Sequence, residues 1–172
     1  MDVEHGATRF ERAVLISPHP EVRRGVLEAA GNRLDILECR APETWPDADA
    51  VLAQNPDVCL FRAGNPAEDR GTHWYGGPDF ALEIVSPDDR SRDKLDFYAG
   101  VGTREVLILD RDPWRMELYQ VSRGKMRLRG TGAVGGGVVT STVTPFTFQL
   151  VRSRPRPKIK ITHSESGQEW VG

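Results

Sequence analysis

Residues 76–110, GGPDFALEIVSPDDRSRDKLDFYAGVGTREVLILD, read as a strand, a charged turn, a helix and a second strand. Side chains alternate faces along a strand, so Asp79, Ala81, Glu83 and Val85 share one face of PDFALEIVS, and Phe80, Leu82 and Ile84 share the other. RSRDKLDFYAGVG carries an apolar stripe of Leu95, Tyr98 and Ala99 and stops at Gly100 and Gly102, which predicts a helix. Ser86 suits its cap, Pro87 its first turn, and Asp88 and Asp89 the positive end of its dipole. REVLILD is apolar enough for a central strand. The puzzle is Glu83, a carboxylate in the middle of a strand that the flanking residues mark as buried.

Working outward, RAVLIS (12–17) is a candidate short strand and PHPEVRRGVLEAAGN (18–32) a candidate helix, with Val22, Val26, Leu27 and Ala30 on one face. RLDILECRA and PDVCLFRAG predict two more strands. The segments 42–55 and 65–77 read as loops. A moderately long loop between PDVCLFRAG and PDFALEIVS allows these strands to lie antiparallel. After the central strand, WRMELYQV, SRG and KMRLRG predict a β-hairpin, and TVTPFTFQL closes the core. The order predicts an α/β (α+β) fold, a mixed sheet with helices on its faces and an added C-terminal β-hairpin. Residues 1–150 are expected as one domain. Residues 151–172, with Arg152, Arg154, Arg156, Lys158 and Lys160, are expected as a basic tail or an edge strand.

At 172 residues the chain is long enough for one self-sufficient core, and 38% hydrophobic and 28% charged residues mark it as globular. A net charge of −2 gives no overall basic footprint for nucleic acid, leaving local patches as the route. Cys39 and Cys59 sit in apolar runs with no Cys-x-x-Cys spacing, which predicts buried thiols rather than a zinc site. His5, His19, His73 and His163 show no ligand spacing. GTGAVG (130–135) matches a glycine-rich phosphate pattern but precedes no helix, so nucleotide binding is not expected there. The first residues lack a signal peptide's apolar region and no stretch is long enough to span a bilayer, so the expected location is cytoplasmic, with no membrane partner.

Four residues along a strand span roughly 13 Å, too far for Asp79 and Glu83 to share one ion. Asp57, at the start of the neighbouring strand, is the better partner for Glu83, since adjacent strands lie about 4.8 Å apart. Two facing carboxylates repel unless a cation lies between them, and Lys94, early in the next helix, is placed to reach them. On that reasoning Glu83→Gln would relieve repulsion and leave the protein no less stable. Two acids and a lysine form a set for metal-assisted phosphodiester hydrolysis, the metal acidifying a water and the lysine steadying the water or the developing phosphate charge. Taken singly, Asp57 reads as a turn residue, Glu83 as a solvated strand acid and Lys94 as a solvated helix lysine. Their combination lifts them.

NPDVCLF, the stretch from Gly76 to Asp110 and RMELYQV together resemble the Uma family (Uma-two) of restriction-endonuclease-like proteins. The likeness runs over Pro56 to Val121, against a family pattern of a Pro-Asp before one strand, then Pro-Asp-x-x-x-Glu-Val-x-Ser-Pro (here with Ile84 after the Glu), then Asp, Lys, Tyr, Gly-Val, Glu and a strand ending in Asp. It implies the PD-(D/E)XK nuclease fold and Mg²⁺ or Mn²⁺ as cofactor. Asp57 and Glu83 would be the metal-binding acids, and Lys94 would take the place of a lysine two residues after the glutamate, where this chain has Val85. Asp79, the second Pro-Asp, is either catalytic or fixes the turn into the strand. An acid from the first helix would be Glu21 or Glu28. The implied partner is nucleic acid, most naturally DNA. Cutting both strands of a duplex favours a homodimer, for which the apolar hairpin Trp114–Arg129 is the expected interface. The contrasting expectation is a catalytically degenerate member that keeps the fold as a binding or assembly module.

Overall fold

The computed structural model describes residues 12–16, 38–40, 58–61, 65, 68–69, 74–85 and 90–172. Among them, seven strands form one mixed sheet: β1 (Arg12–Ile16), β2 (Glu38–Arg40), β3 (Val58–Phe61), β6 (Phe80–Ile84), β7 (Glu105–Arg111), β8 (Trp114–Ser122) and β9 (Lys125–Ala133), in the spatial order β2-β1-β3-β6-β7-β8-β9. A second sheet has the order β10 (Val139–Thr140), β11 (Phe146–Val151), β12 (Lys158–His163) and β13 (Glu169–Val171). The segment expected as a loop before β6 holds a short ribbon, β4 (Glu68–Asp69) against β5 (Trp74–Tyr75). The helix expected over residues 18–32 lies outside the described residues.

β3 and β6 are antiparallel, as expected, with Val58 opposite Leu82 and Leu60 opposite Phe80. β6 and β7 are parallel, with Glu83 opposite Ile108. Parallel neighbours need a crossover, and residues 85–104 supply it. The crossover differs in one respect from the expectation of a single helix. Its described part holds a 3-10 turn, Ser91–Lys94, and becomes α-helical only at α1, Leu95–Gly100. Arg90 occupies the cap position of the 3-10 turn, and the expected cap, Ser86, lies outside the described residues. Gly102 then takes φ +87°, a left-handed conformation in which glycine carries no Cβ penalty.

β6 and β7 separate two apolar layers. Phe80, Leu107, Leu109, Met116 and Leu118 meet Val139, Phe148 and Leu150 of the second sheet and Val143 of the turn between β10 and β11, and the rings of Phe80 and Phe148 stack at 5.8 Å. On the opposite face Ala81, Val106 and Ile108 pack under Tyr98 of α1, flanked by Tyr119 and Met126. β8 and β9 form the expected hairpin, turning at Arg123 and Gly124, both with positive φ. Residues 151–172 are more than a tail: β12 lies inside the second sheet between β11 and β13. Thr131 and Gly132 of the GTGAVG stretch belong to β9, a strand and no helix-bound loop. Among the described residues no helix is long and apolar enough to cross a membrane.

Candidate active site

The side chain of Glu83 lies on the α1 face of the sheet and is 1% exposed. A carboxylate so far from water needs partners, and the crossover provides them. Lys94 Nζ donates to Glu83 Oε2 at 2.9 Å, and Ser91 Oγ donates to the same oxygen at 3.5 Å. The Tyr98 hydroxyl donates to Glu83 Oε1. The local reason is geometric. The 3-10 turn and α1 of the crossover lie over the face of β6 that carries Glu83. Ser91, Lys94 and Tyr98 stand three and four residues apart, the spacing that brings side chains onto one helical face.

Lys94 and Glu83 are therefore brought together. Asp79, at the entrance of the same strand, has a different setting. Asn65 Nδ2 donates to its Oδ2 at 2.6 Å, and Arg104 lies 3.9 Å from its Oδ1. Its backbone N–H donates to Leu60, and its carbonyl accepts from Arg104 and Glu105. These contacts fasten the beginning of β6 to β3 and β7. Asp57, Glu21 and Glu28 lie outside the described residues.

Ser91 and Tyr98 were missed by the sequence reading. Tyr98 reads as core from the apolar stripe, and it is fully buried, but its hydroxyl donates to Glu83. Its place four residues after Lys94 was the available signal. Glu117 on β8 was also missed. It lies in the same row as Glu83 and Ile108, accepts from Arg92 Nε at 2.9 Å and from the Tyr119 hydroxyl at 3.0 Å, and pairs with Arg115 at 2.8 Å. The hydrogen bond to Glu117 raises the pKa of Arg92 above its ordinary value. Burial, and then the hydrogen bond to Glu117, raise that of Tyr119.

As a donor set for a metal, the buried Glu83 carboxylate offers hard oxygens of the kind Mg²⁺ and Mn²⁺ prefer. Among the described residues no group of three or more His, Cys, Asp or Glu side chains converges on one point. A Mg²⁺ bound here would take Glu83 as one protein ligand and complete its shell with waters and substrate phosphate oxygens, as is usual for that ion.

Residues 35–152 match the model of the Uma2 family, described as "putative restriction endonuclease". The chain belongs to this family. The match takes in Asp57, Asp79, Glu83 and Lys94, and every described strand from β2 to β11. No curated protein matches the chain. Among solved structures it is similar to a "putative nuclease belonging to DUF820" from Anabaena variabilis, with 20% identity, a TM-score of 0.40 and 50% of each chain covered. The chain thus spans half the length of that relative.

Proposed function

We propose that this Uma2 member is a divalent-metal-dependent nuclease that hydrolyses phosphodiester bonds in nucleic acid, DNA being the favoured substrate. The observation that carries the reading is the buried Glu83 carboxylate with the Lys94 ammonium 2.9 Å away. Family membership supports it. Glu83 and Asp57 would hold Mg²⁺ or Mn²⁺. The β3–β6 register supports this pairing, since Val58, next to Asp57 in the chain, stands opposite Leu82, next to Glu83. The metal, when bound, would supply Lewis acidity toward water and phosphate.

The chain's own residues do the rest. Lys94 is 16% exposed, so its ammonium meets both Glu83 and an approaching substrate. It holds a water by hydrogen bonding and offsets negative charge developing on the phosphate. Tyr98 and Ser91 fix the Glu83 carboxylate, and Asp79 holds the entrance of β6 in place. A duplex cut on both strands would call for two copies of this site, hence a homodimer, which sedimentation tests directly.

The deciding experiment is cleavage of a mixed DNA and RNA panel with Mg²⁺, Mn²⁺ or chelator, using Glu83→Ala and Lys94→Ala as controls. Metal-dependent cleavage lost in both variants is the expected result. Cleavage undiminished in Glu83→Ala would place the chemistry elsewhere. A second reading, a binding module that keeps the fold, draws on the fact that Lys94 and Tyr98 already engage both Glu83 oxygens. It predicts nucleic-acid binding without cleavage, and no rise in melting temperature on adding Mg²⁺ or Mn²⁺.

A further inference from the structure

The lysine of this site is not on a strand. It stands at the end of a four-residue 3-10 turn, whose cap position, Arg90, makes no side-chain capping bond. A turn so short has little stability of its own. Its place above the sheet must come from what its side chains grip.

The turn straddles three strands. Ser91 and Lys94 reach down to Glu83 on β6. Arg92, between them, reaches the other way, to Glu117 on β8 at 2.9 Å and to Asp110 on β7 at 3.3 Å. Glu83, Ile108 and Glu117 occupy one row of the sheet, so the two glutamates stand two strand spacings, or about 10 Å, apart. Glu117 is in turn held by Arg115 and Tyr119, and it is mostly buried. A tether on the Glu83 side alone would let the turn pivot about Glu83. A second, charge-assisted tether on the far side removes that freedom, and the planar guanidinium makes it directional.

We infer that Glu117, acting through Arg92, is a positioning residue that sets the Ser91–Lys94 turn so that the Lys94 ammonium is held on Glu83. Its bearing on catalysis rests on the nuclease reading, whereas its bearing on Lys94 does not.

The test is the rate at which an amine-reactive reagent modifies each lysine of the folded protein, resolved by mass spectrometry, with the exposed Lys125 as internal reference. In the wild type Lys94 reacts more slowly than Lys125. Glu117→Gln and Arg92→Met raise the Lys94 rate about tenfold, as expected for the loss of one charge-assisted hydrogen bond, and leave Lys125 unchanged. Arg92→Lys restores part of the protection, keeping the charge without the fork. Arg115→Ala, which removes a Glu117 partner that does not belong to the turn, leaves Lys94 protected. In cleavage assays the first two variants lower kcat with KM unchanged.

Arg92 is an exposed residue, so Arg92→Met carries the test if Glu117→Gln does not fold. Lys94 protection equal to wild type in the folded variants overturns the inference. Lost protection in a protein that cleaves nothing upholds the positioning role and removes the nuclease reading instead.

Discussion

Lys94→Met keeps most of the side chain's length and removes its charge. The Glu83 side chain it leaves behind is 1% exposed, against 16% for Lys94. Taking one partner from a buried ion pair costs roughly 3–5 kcal/mol, because the remaining charge stays out of water. Tyr98 and Ser91 still donate to Glu83, and Lys94 has some access to solvent, so the low end applies, about 3 kcal/mol. In a chain of this size that corresponds to a fall of roughly 6–12 °C in melting temperature. Glu83→Gln is milder. Tyr98 can donate to the amide oxygen and the lysine can turn toward water, for a cost of about 1–2 kcal/mol. The double variant buries no charge and should cost about 2 kcal/mol, less than the sum of the singles. The coupling energy is then about 2–3 kcal/mol.

Urea unfolding of the four proteins without divalent metal, followed by tryptophan fluorescence, measures the cycle. A Lys94→Met cost below about 0.5 kcal/mol with additive singles would refute the reasoning, since exposed pairs behave that way. A Glu83→Gln protein more stable than wild type would also refute it. That outcome is the one the repulsion argument from sequence anticipates, and it would mean that a neighbouring acid outweighs the donors from the crossover.

Glu105 is buried and accepts from Ser141 Oγ at 2.6 Å, Thr142 N at 3.0 Å and Thr142 Oγ1 at 2.6 Å, which ties β7 to the turn between β10 and β11. Glu105→Ala should cost about 2–4 kcal/mol by stranding these donors, and Glu105→Gln clearly less, by thermal melting. Tyr119 is held protonated above its usual pKa of 10.0, first by burial and then by its bond to Glu117. Its folded value lies above the unfolded one, so the stability it adds is complete below about pH 10 and is lost as pH rises through the folded value. Tyr119→Phe should flatten the alkaline fall in stability, and an unchanged slope would discount the contact. At Gly77 a Cβ would meet Thr103 Oγ1 at 2.6 Å and Val101 Cγ2 at 2.7 Å. Gly77→Ala should therefore cost about 1–3 kcal/mol, and circular dichroism melting would show it.

The strand pattern was legible because side chains alternate faces with period two, and a strand covered on both faces is apolar almost throughout. Phe80, Leu82 and Ile84 separate from Ala81, Glu83 and Val85 as the alternation requires, and REVLILD runs as an interior strand. The resemblance likewise marked Glu83 and Lys94. What escaped were residues whose roles depend on contacts across strands. Nothing local in WRMELYQV says that Glu117 faces Arg92, because that depends on the β7–β8 register and on where the crossover lands. Tyr98 met every criterion for core, and only its partner shows what its hydroxyl does. The 3-10 turn of the crossover was hidden because SRDK has no cap or breaker to separate it from the helix that follows. The strand β12 was masked by its lysines, Lys158 and Lys160, which alternate with Ile159 and Ile161 on the face turned to the core.

The position of the lysine also has a consequence that can be tested by moving it. A lysine two residues after Glu83 would stand just past the end of β6 on the same face, placed by backbone that bonds directly to Leu109 of β7. This chain has Val85 there, half-buried against the Tyr98 cluster, and draws its lysine from the crossover. The strand position needs no other support, whereas the crossover position needs the turn to be pinned from both sides. Val85→Lys combined with Lys94→Met should therefore return a counter-charge to Glu83 and recover about half of the stability lost in Lys94→Met, roughly 1–2 kcal/mol, the remainder being lost to the packing of Val85. The recovered part should be insensitive to Arg92→Met, because a strand lysine does not depend on the turn. If the recovery vanishes with Arg92→Met, or never occurs, the face of β6 is not accessible to a lysine at position 85 and the strand and crossover positions are not interchangeable.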